Sequence, residues 1–173
     1  QALGWGTGAY QHMLAETFRG AISDRVRAVG DPAFVKVDVD ALAHRDRMKA
    51  RKAKISATAT TPAEKFGLGS GGTTHLVAVD EEGNVVSVTS TVNNMFGAKV
   101  VTQGGFLLND ELDDFTSQRV AKLFGAQPGP NAPRPGARPV SSMTLTIVLK
   151  DGAPILALGG SGGTRIATGT TQV

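Results

Sequence analysis

The residues best suited to covalent chemistry are in Gly71-Gly72-Thr73-Thr74-His75, which opens onto the apolar run Leu76 to Val79. A threonine hydroxyl is a poor nucleophile until a base takes its proton. The chain has no cysteine, which excludes thiol catalysis, disulfides and cysteine-zinc sites. Two bases are conceivable: His75, or the α-amino group of Thr73 itself if the backbone were cut before it. Such an amine has a reference pKa of about 7.7 to 8.0, close to neutrality. Gly-Gly-Thr-Thr is also the ordinary signature of a loop-to-strand junction, so the motif does not decide between the two. Two further clusters bear on the choice. Asn109, Asp110, Glu111, Asp113 and Asp114 crowd carboxylates together. They read as a solvated helix start, as a cradle for a substrate ammonium, or, more weakly, as a calcium loop, whose alternating ligands and central glycine are missing. Gly159-Gly160-Ser161-Gly162-Gly163-Thr164-Arg165 offers backbone N–H groups to an anion and lacks the Gly-Lys-Ser/Thr ending of a nucleotide P-loop.

The elements that must position these residues follow from periodicity. Glu81-Glu82-Gly83-Asn84 is a tight turn with glycine where a positive φ is needed, so 73–79 and 85–93 are predicted to form a hairpin. Period 2 puts Thr73, His75 and Val77 on one side of the first arm. Ser87, Thr89, Thr91 and Asn93 line one side of the second. Strands are also expected over 144–149 and 154–158 around the turn 150–152. Leu14, Phe18, Ile22, Val26 and Val29 form a helical stripe over 11–29 that is assigned to core packing, with Gly30 as its C-cap and Pro32 as its stop. Asp38 is placed to cap a short second helix carrying Leu42. Residues 56–72 hold small, hydroxylated and glycine residues without periodicity and read as a loop, the accessible setting that an internal cut would require. Residues 116–139, with five prolines, read as a long loop without regular structure, of the kind used as a lid.

At 173 residues and 40% hydrophobic composition, the chain has the size of one soluble domain. It contains no apolar run of membrane-spanning length. Its +3 net charge comes from one place: Arg45, Arg47, Lys49, Arg51, Lys52 and Lys54 face Asp46 alone between His44 and Lys54. No aromatic residue interleaves with these cations to stack bases. A solvated helical face or linker therefore fits better than a nucleic-acid surface.

Six segments in order carry a family resemblance: Gly-Asp-Pro-Ala-Phe-Val-Lys-Val (30–37), Thr-Thr-His-Leu-Val-Ala-Val-Asp (73–80), Gly-Asn-Val-Val-Ser-Val-Thr-Ser-Thr-Val-Asn (83–93), Leu-Leu-Asn-Asp-Glu-Leu-Asp-Asp-Phe (107–115), Arg-Pro-Val-Ser-Ser-Met (138–143) and Gly-Gly-Ser-Gly-Gly-Thr-Arg-Ile (159–166). Together they resemble γ-glutamyltransferase, an N-terminal-nucleophile hydrolase. The resemblance implies an α+β fold, the four-layer αββα sandwich. It implies autocleavage at Gly72-Thr73, making 1–72 the end of a large subunit and 73–173 the start of a small catalytic one. Thr73 is then the nucleophile and Thr91 its hydrogen-bonding neighbour. Asn93, Glu111 and Asp114 hold the donor's α-amino group, Ser141 and Ser142 its α-carboxylate, and the N–H groups of Gly162 and Gly163 form the oxyanion hole.

The implied reaction is γ-glutamyl transfer and hydrolysis of glutathione or related γ-glutamyl amides, with water, an amino acid or a peptide as acceptor and no cofactor or metal. A bacterial periplasmic or secreted setting goes with it. Phe124 stands where a lid tyrosine is common, which removes any hydroxyl-mediated closure. Relatives include acylases acting on other acyl groups, such as cephalosporin acylases; Glu111, Asp114 and the two serines favour a γ-glutamyl donor. The resemblance spans the middle of a family member. An arginine for the donor carboxylate and the closing strands are then expected outside the chain, and the chain alone is expected to be an inactive fragment.

Overall fold

A computed structural model describes residues 3–60, 73–123 and 127–173. These residues form two compact units. One contains 3–60 and Phe115–Val140, the other 73–114 and Ser141–Val173.

In the first unit, α1 (Gly8–Ala28) begins where Thr7 accepts a hydrogen bond from the Tyr10 amide at 3.2 Å, an ordinary N-cap. The expected helix is present and starts three residues earlier than its apolar stripe. That stripe is not a closed core: Leu14, Phe18 and Ile22 are half-buried, Val26 is exposed, and the buried residue of the helix is Glu16, beside Arg19 at 3.6 Å. The helix ends through Val29, not through a glycine cap. Gly30 is buried and its φ is not left-handed; a Cβ there would overlap the Pro130 carbonyl. Its role is close backbone approach.

Asp31 follows, almost wholly buried, and accepts from the Ala33 amide (3.0 Å) and from the Arg138 amide (2.8 Å), Nε (3.2 Å) and Nη2 (3.0 Å). The Arg138 guanidinium and amide hold this carboxyl far below the usual carboxylate range. Helix α2 (Val39–Ala43) is capped as expected, with Asp38 accepting from the Ala41 amide at 2.8 Å. The basic segment forms α3 (Arg45–Lys52), from which Arg47 and Arg51 reach Asp24 of α1 at 2.7 and 2.6 Å. The greater part of the predicted 56–72 linker, including Gly72, lies outside the described residues.

The expectation of an unstructured 116–139 is corrected. Helix α4 (Gln118–Leu123) forms there because Pro and Gly are absent from those positions, and a 3-10 turn spans Gly129–Asn131. Pro130 sits at the start of that turn, where a missing N–H costs nothing. Buried Asn131 then accepts from the Val140 amide at 3.1 Å and donates to Thr116 Oγ1 at 3.3 Å. Phe124 lies outside the described residues.

The second unit is built on two antiparallel hairpins. β1 (Thr73–Val79) pairs with β2 (Val85–Thr91) in the register Thr73↔Thr91, His75↔Thr89, Val77↔Ser87. Gly83 takes φ +84° in the turn and Asp80 Oδ1 accepts from the Asn84 amide at 2.7 Å, as a tight connection requires. β3 (Thr146–Lys150) pairs with β4 (Ala153–Leu158) through Asp151 and Gly152, both at positive φ. β3 begins two residues later than its apolar pattern. Helix α5 (Ile166–Thr170) closes the unit with Ile166 buried.

The class is α+β, with two two-stranded sheets among the described residues. Both hairpins leave apolar pairs exposed, among them Leu76 with Val88 and Val148 with Leu156. No helix among the described residues is long and apolar enough to cross a membrane.

Candidate active site

Every residue singled out for catalysis or binding falls within the second unit. Thr73 is the first residue of β1, and its hydroxyl donates to Thr91 Oγ1 at 3.2 Å. The contact follows from register, because cross-strand partners in an antiparallel pair put their side chains on the same face. Thr91 Oγ1 also accepts the Asn93 amide at 2.8 Å. Asn93 leaves the strand with φ +70°, a conformation asparagine tolerates better than most residues. Its Nδ2 donates to the Asp110 carbonyl at 3.3 Å. Nucleophile candidate, hydroxyl neighbour and amide therefore form one connected chain that continues into the acidic cluster.

The carboxylates of that cluster divide by role. Asp110 accepts from the Asn94 amide (3.0 Å) and Nδ2 (2.8 Å). Burial alone would push its pKa up, but the hydrogen bonds from Asn94 outweigh it and hold the group ionised below its ordinary value. Asp110 is thus a structural tie, a function the sequence alone did not separate from its neighbours. Glu111 and Asp114 lie on a 3-10 turn, Glu111–Asp114. Burial, then the hydrogen bond and charge of Asp114, push the Glu111 carboxyl up to about 7. Its Oε1 is buried with no hydrogen-bond partner. Glu111 and Asp114 thus lie side by side, each opposing ionisation of the other, and a cation placed between them would relieve that opposition.

Ser141 Oγ accepts from the Met143 amide at 3.1 Å, and Ser142 is half-buried beside it. Among the described residues no hydrogen bond joins either serine to Thr73, Asn93 or Glu111. Gly162 (φ +133°) and Gly163 (φ +60°) adopt backbone that other residues rarely take, at the head of the 3-10 turn Gly163–Arg165. Neither N–H donates a hydrogen bond among the described residues. Such amides are available to a developing oxyanion.

His75, considered above only as a base, has a different position. Its Nδ1 lies 2.9 Å from Thr89 Oγ1, and its ring packs where a Cβ on Gly159 would stand. No group of three or more histidines or carboxylates among the described residues is arranged to hold a metal.

The gamma-glutamyltranspeptidase family profile matches residues 1–173. A relative named glutathione hydrolase proenzyme, from Pseudomonas aeruginosa, is 46% identical over 169 residues, covering 95% of this chain and 30% of the relative. Another of the same name, from Pseudomonas sp. strain A14, is 42% identical over 176 residues, covering 97% of this chain and 31% of the relative. The solved γ-glutamyltranspeptidase from Pseudomonas nitroreducens, complexed with L-DON, superposes with a TM-score of 0.51 at 51% identity, over 57% of this chain and 53% of that one. The chain therefore spans under a third of the length of these curated relatives, and by the full-length match it belongs to the γ-glutamyltranspeptidase family.

Proposed function

We propose that this chain is the central part of a glutathione hydrolase and γ-glutamyltransferase that cuts itself between Gly72 and Thr73. Residues up to 72 then end the large subunit, and Thr73 begins the small one. The freed α-amino group of Thr73 takes the proton from its own Oγ, which attacks the γ-carbonyl carbon of the donor. The carbonyl oxygen gains negative charge against the Gly162 and Gly163 amides. Collapse of that intermediate expels the donor's amine, which leaves with the proton, and a γ-glutamyl ester stays on Thr73. Water then releases glutamate, or the amine of an amino acid or peptide takes the group.

The observation that carries this reading is the Thr73 hydroxyl at the head of β1, bonded to Thr91 at 3.2 Å and linked through Asn93 to the acidic cluster. The buried, unpartnered Glu111 oxygen beside Asp114 supports recognition of the donor's ammonium by Asn93, Glu111 and Asp114, with Ser141 and Ser142 for its carboxylate. The exposed apolar pairs on both hairpins support a four-layer αββα sandwich whose remaining strands come from outside the chain. A periplasmic or secreted setting belongs to the same proposal.

The test is release of nitroaniline from a γ-glutamyl nitroanilide, and of glutamate from glutathione, by the whole protein. Thr73→Ala is expected to lower turnover at least about 10³-fold, as removal of a covalent nucleophile does. Turnover retained by Thr73→Ala would contradict the reading. Preference for an anilide lacking the α-amino group would point to an acylase of the cephalosporin-acylase type instead.

A further inference from the structure

Beside the Thr73–Thr91 contact stands a second polar pair that the proposed chemistry does not use. His75 lies two residues along β1 on the same face, directly opposite Thr89 in register, with Nδ1 2.9 Å from Thr89 Oγ1. Its Nε2 is buried without a hydrogen-bond partner, and so is Ser87 Oγ at the next pair along that face. A buried ring nitrogen gains nothing from lacking a partner, so the ring is held there by its other contacts.

Besides Thr89, the ring meets Gly159. A Cβ on Gly159 would overlap Cε1, Nδ1 and Nε2 of the imidazole. Gly159 is not at positive φ, so its backbone does not call for glycine; the space taken by the ring does. Gly159 directly follows β4 and opens the run that ends in Gly162 and Gly163. The imidazole is thus seated between the strand of the nucleophile and the start of the glycine run.

We infer that His75 is a positioning residue, the spacer that sets how far Thr73 stands from the oxyanion-binding amides. The inference rests on the proposed roles of Thr73, Gly162 and Gly163. His75 makes no bond to the substrate and moves no proton. Thr73 Oγ must reach the carbonyl carbon while the carbonyl oxygen settles onto the glycine amides, so an error in their separation is felt where the oxyanion exists. Donor recognition by Asn93, Glu111, Asp114, Ser141 and Ser142 does not depend on that separation. The signature is therefore a fall in kcat with KM kept.

The experiment uses the whole protein and γ-glutamyl anilide turnover, normalised to the cleaved fraction counted by intact mass. His75→Ala is expected to lower kcat by about 10- to 100-fold, with KM within about threefold. His75→Asn, whose amide can still reach Thr89, is expected to recover part of the loss. Gly159→Ala is expected to lower kcat similarly in the wild type and to cost little in the His75→Ala background, where the ring no longer occupies the space. A cleaved His75→Ala enzyme with kcat within about twofold of wild type overturns the inference, as does a Gly159→Ala penalty equal in both backgrounds. Should His75→Ala yield no cleaved protein, Gly159→Ala alone decides, and full kcat in that variant is then the contrary result. A wild type without γ-glutamyl activity would overturn the functional reading itself, which separates the two failures.

Discussion

Glu111 carries a pH dependence opposite in sign to that of most surface carboxylates. Its pKa is raised from 4.5 to about 7, by burial first and Asp114 second, so between those values the folded protein holds a proton that the unfolded chain has lost. Stability contributed by this group is complete below about 4.5 and is lost as pH rises through about 7. Glu111→Gln, which cannot ionise, is expected to gain stability over the wild type as pH increases from 5 to 8. The difference should reach on the order of 1 kcal/mol once solvent screening is allowed for. Thermal unfolding of the whole protein across that range checks it; a gap that stays constant or closes with rising pH contradicts it. Asp31 behaves in the reverse sense, since Arg138 lowers its pKa and its contribution fades in acid. The sequence placed Glu111 and Asp114 correctly on one acidic turn but did not distinguish them from Asp110. That difference depends on Asn94, sixteen residues away, donating twice to Asp110.

At the scale of elements, local patterns were legible and tertiary causes were not. Alternation with Gly83 in the turn located β1 and β2, and Asp38 located the start of α2, because each is decided within a few residues. The exposed Val26, the buried Glu16 and the helix in 118–123 were not visible, since burial depends on what packs nearby and five downstream prolines masked a short helix-compatible segment. Gly30 makes the point most sharply. It reads as a helix cap, yet its backbone is ordinary and its smallness serves the Pro130 carbonyl. Gly30→Ala is therefore expected to destabilise the whole protein by about 1–3 kcal/mol through overpacking, while Gly8→Ala, with open space around its Cβ position at the exposed start of α1, is expected to change stability little. Urea unfolding followed by circular dichroism compares them. Equal effects would return Gly30 to the role of a simple helix stop.

At the scale of the whole molecule, the compact units and the proposed subunits divide the chain differently. Phe115–Val140 packs with the residues before 60, whereas the proposed cut at Gly72-Thr73 assigns it to the small subunit. Cleavage would thus leave the two polypeptides interlocked, with the first unit drawing on both. All candidate catalytic and binding residues stay in the second unit, on hairpins whose apolar pairs remain exposed in this chain. The sequence singled out those residues because the ordered motifs are dense. It could not supply the spacing between Thr73 and the glycine amides, which depends on His75 and Gly159 meeting across the fold. The most direct test of the central claim, that Thr73 is freed by the chain's own chemistry to act as nucleophile, is the intact mass of the purified whole protein beside its Thr73→Ala variant. The account predicts two polypeptides from the wild type, the smaller beginning Thr-Thr-His, and one uncut chain from the variant; efficient cutting of Thr73→Ala, or an active wild type that is never cut, would contradict it.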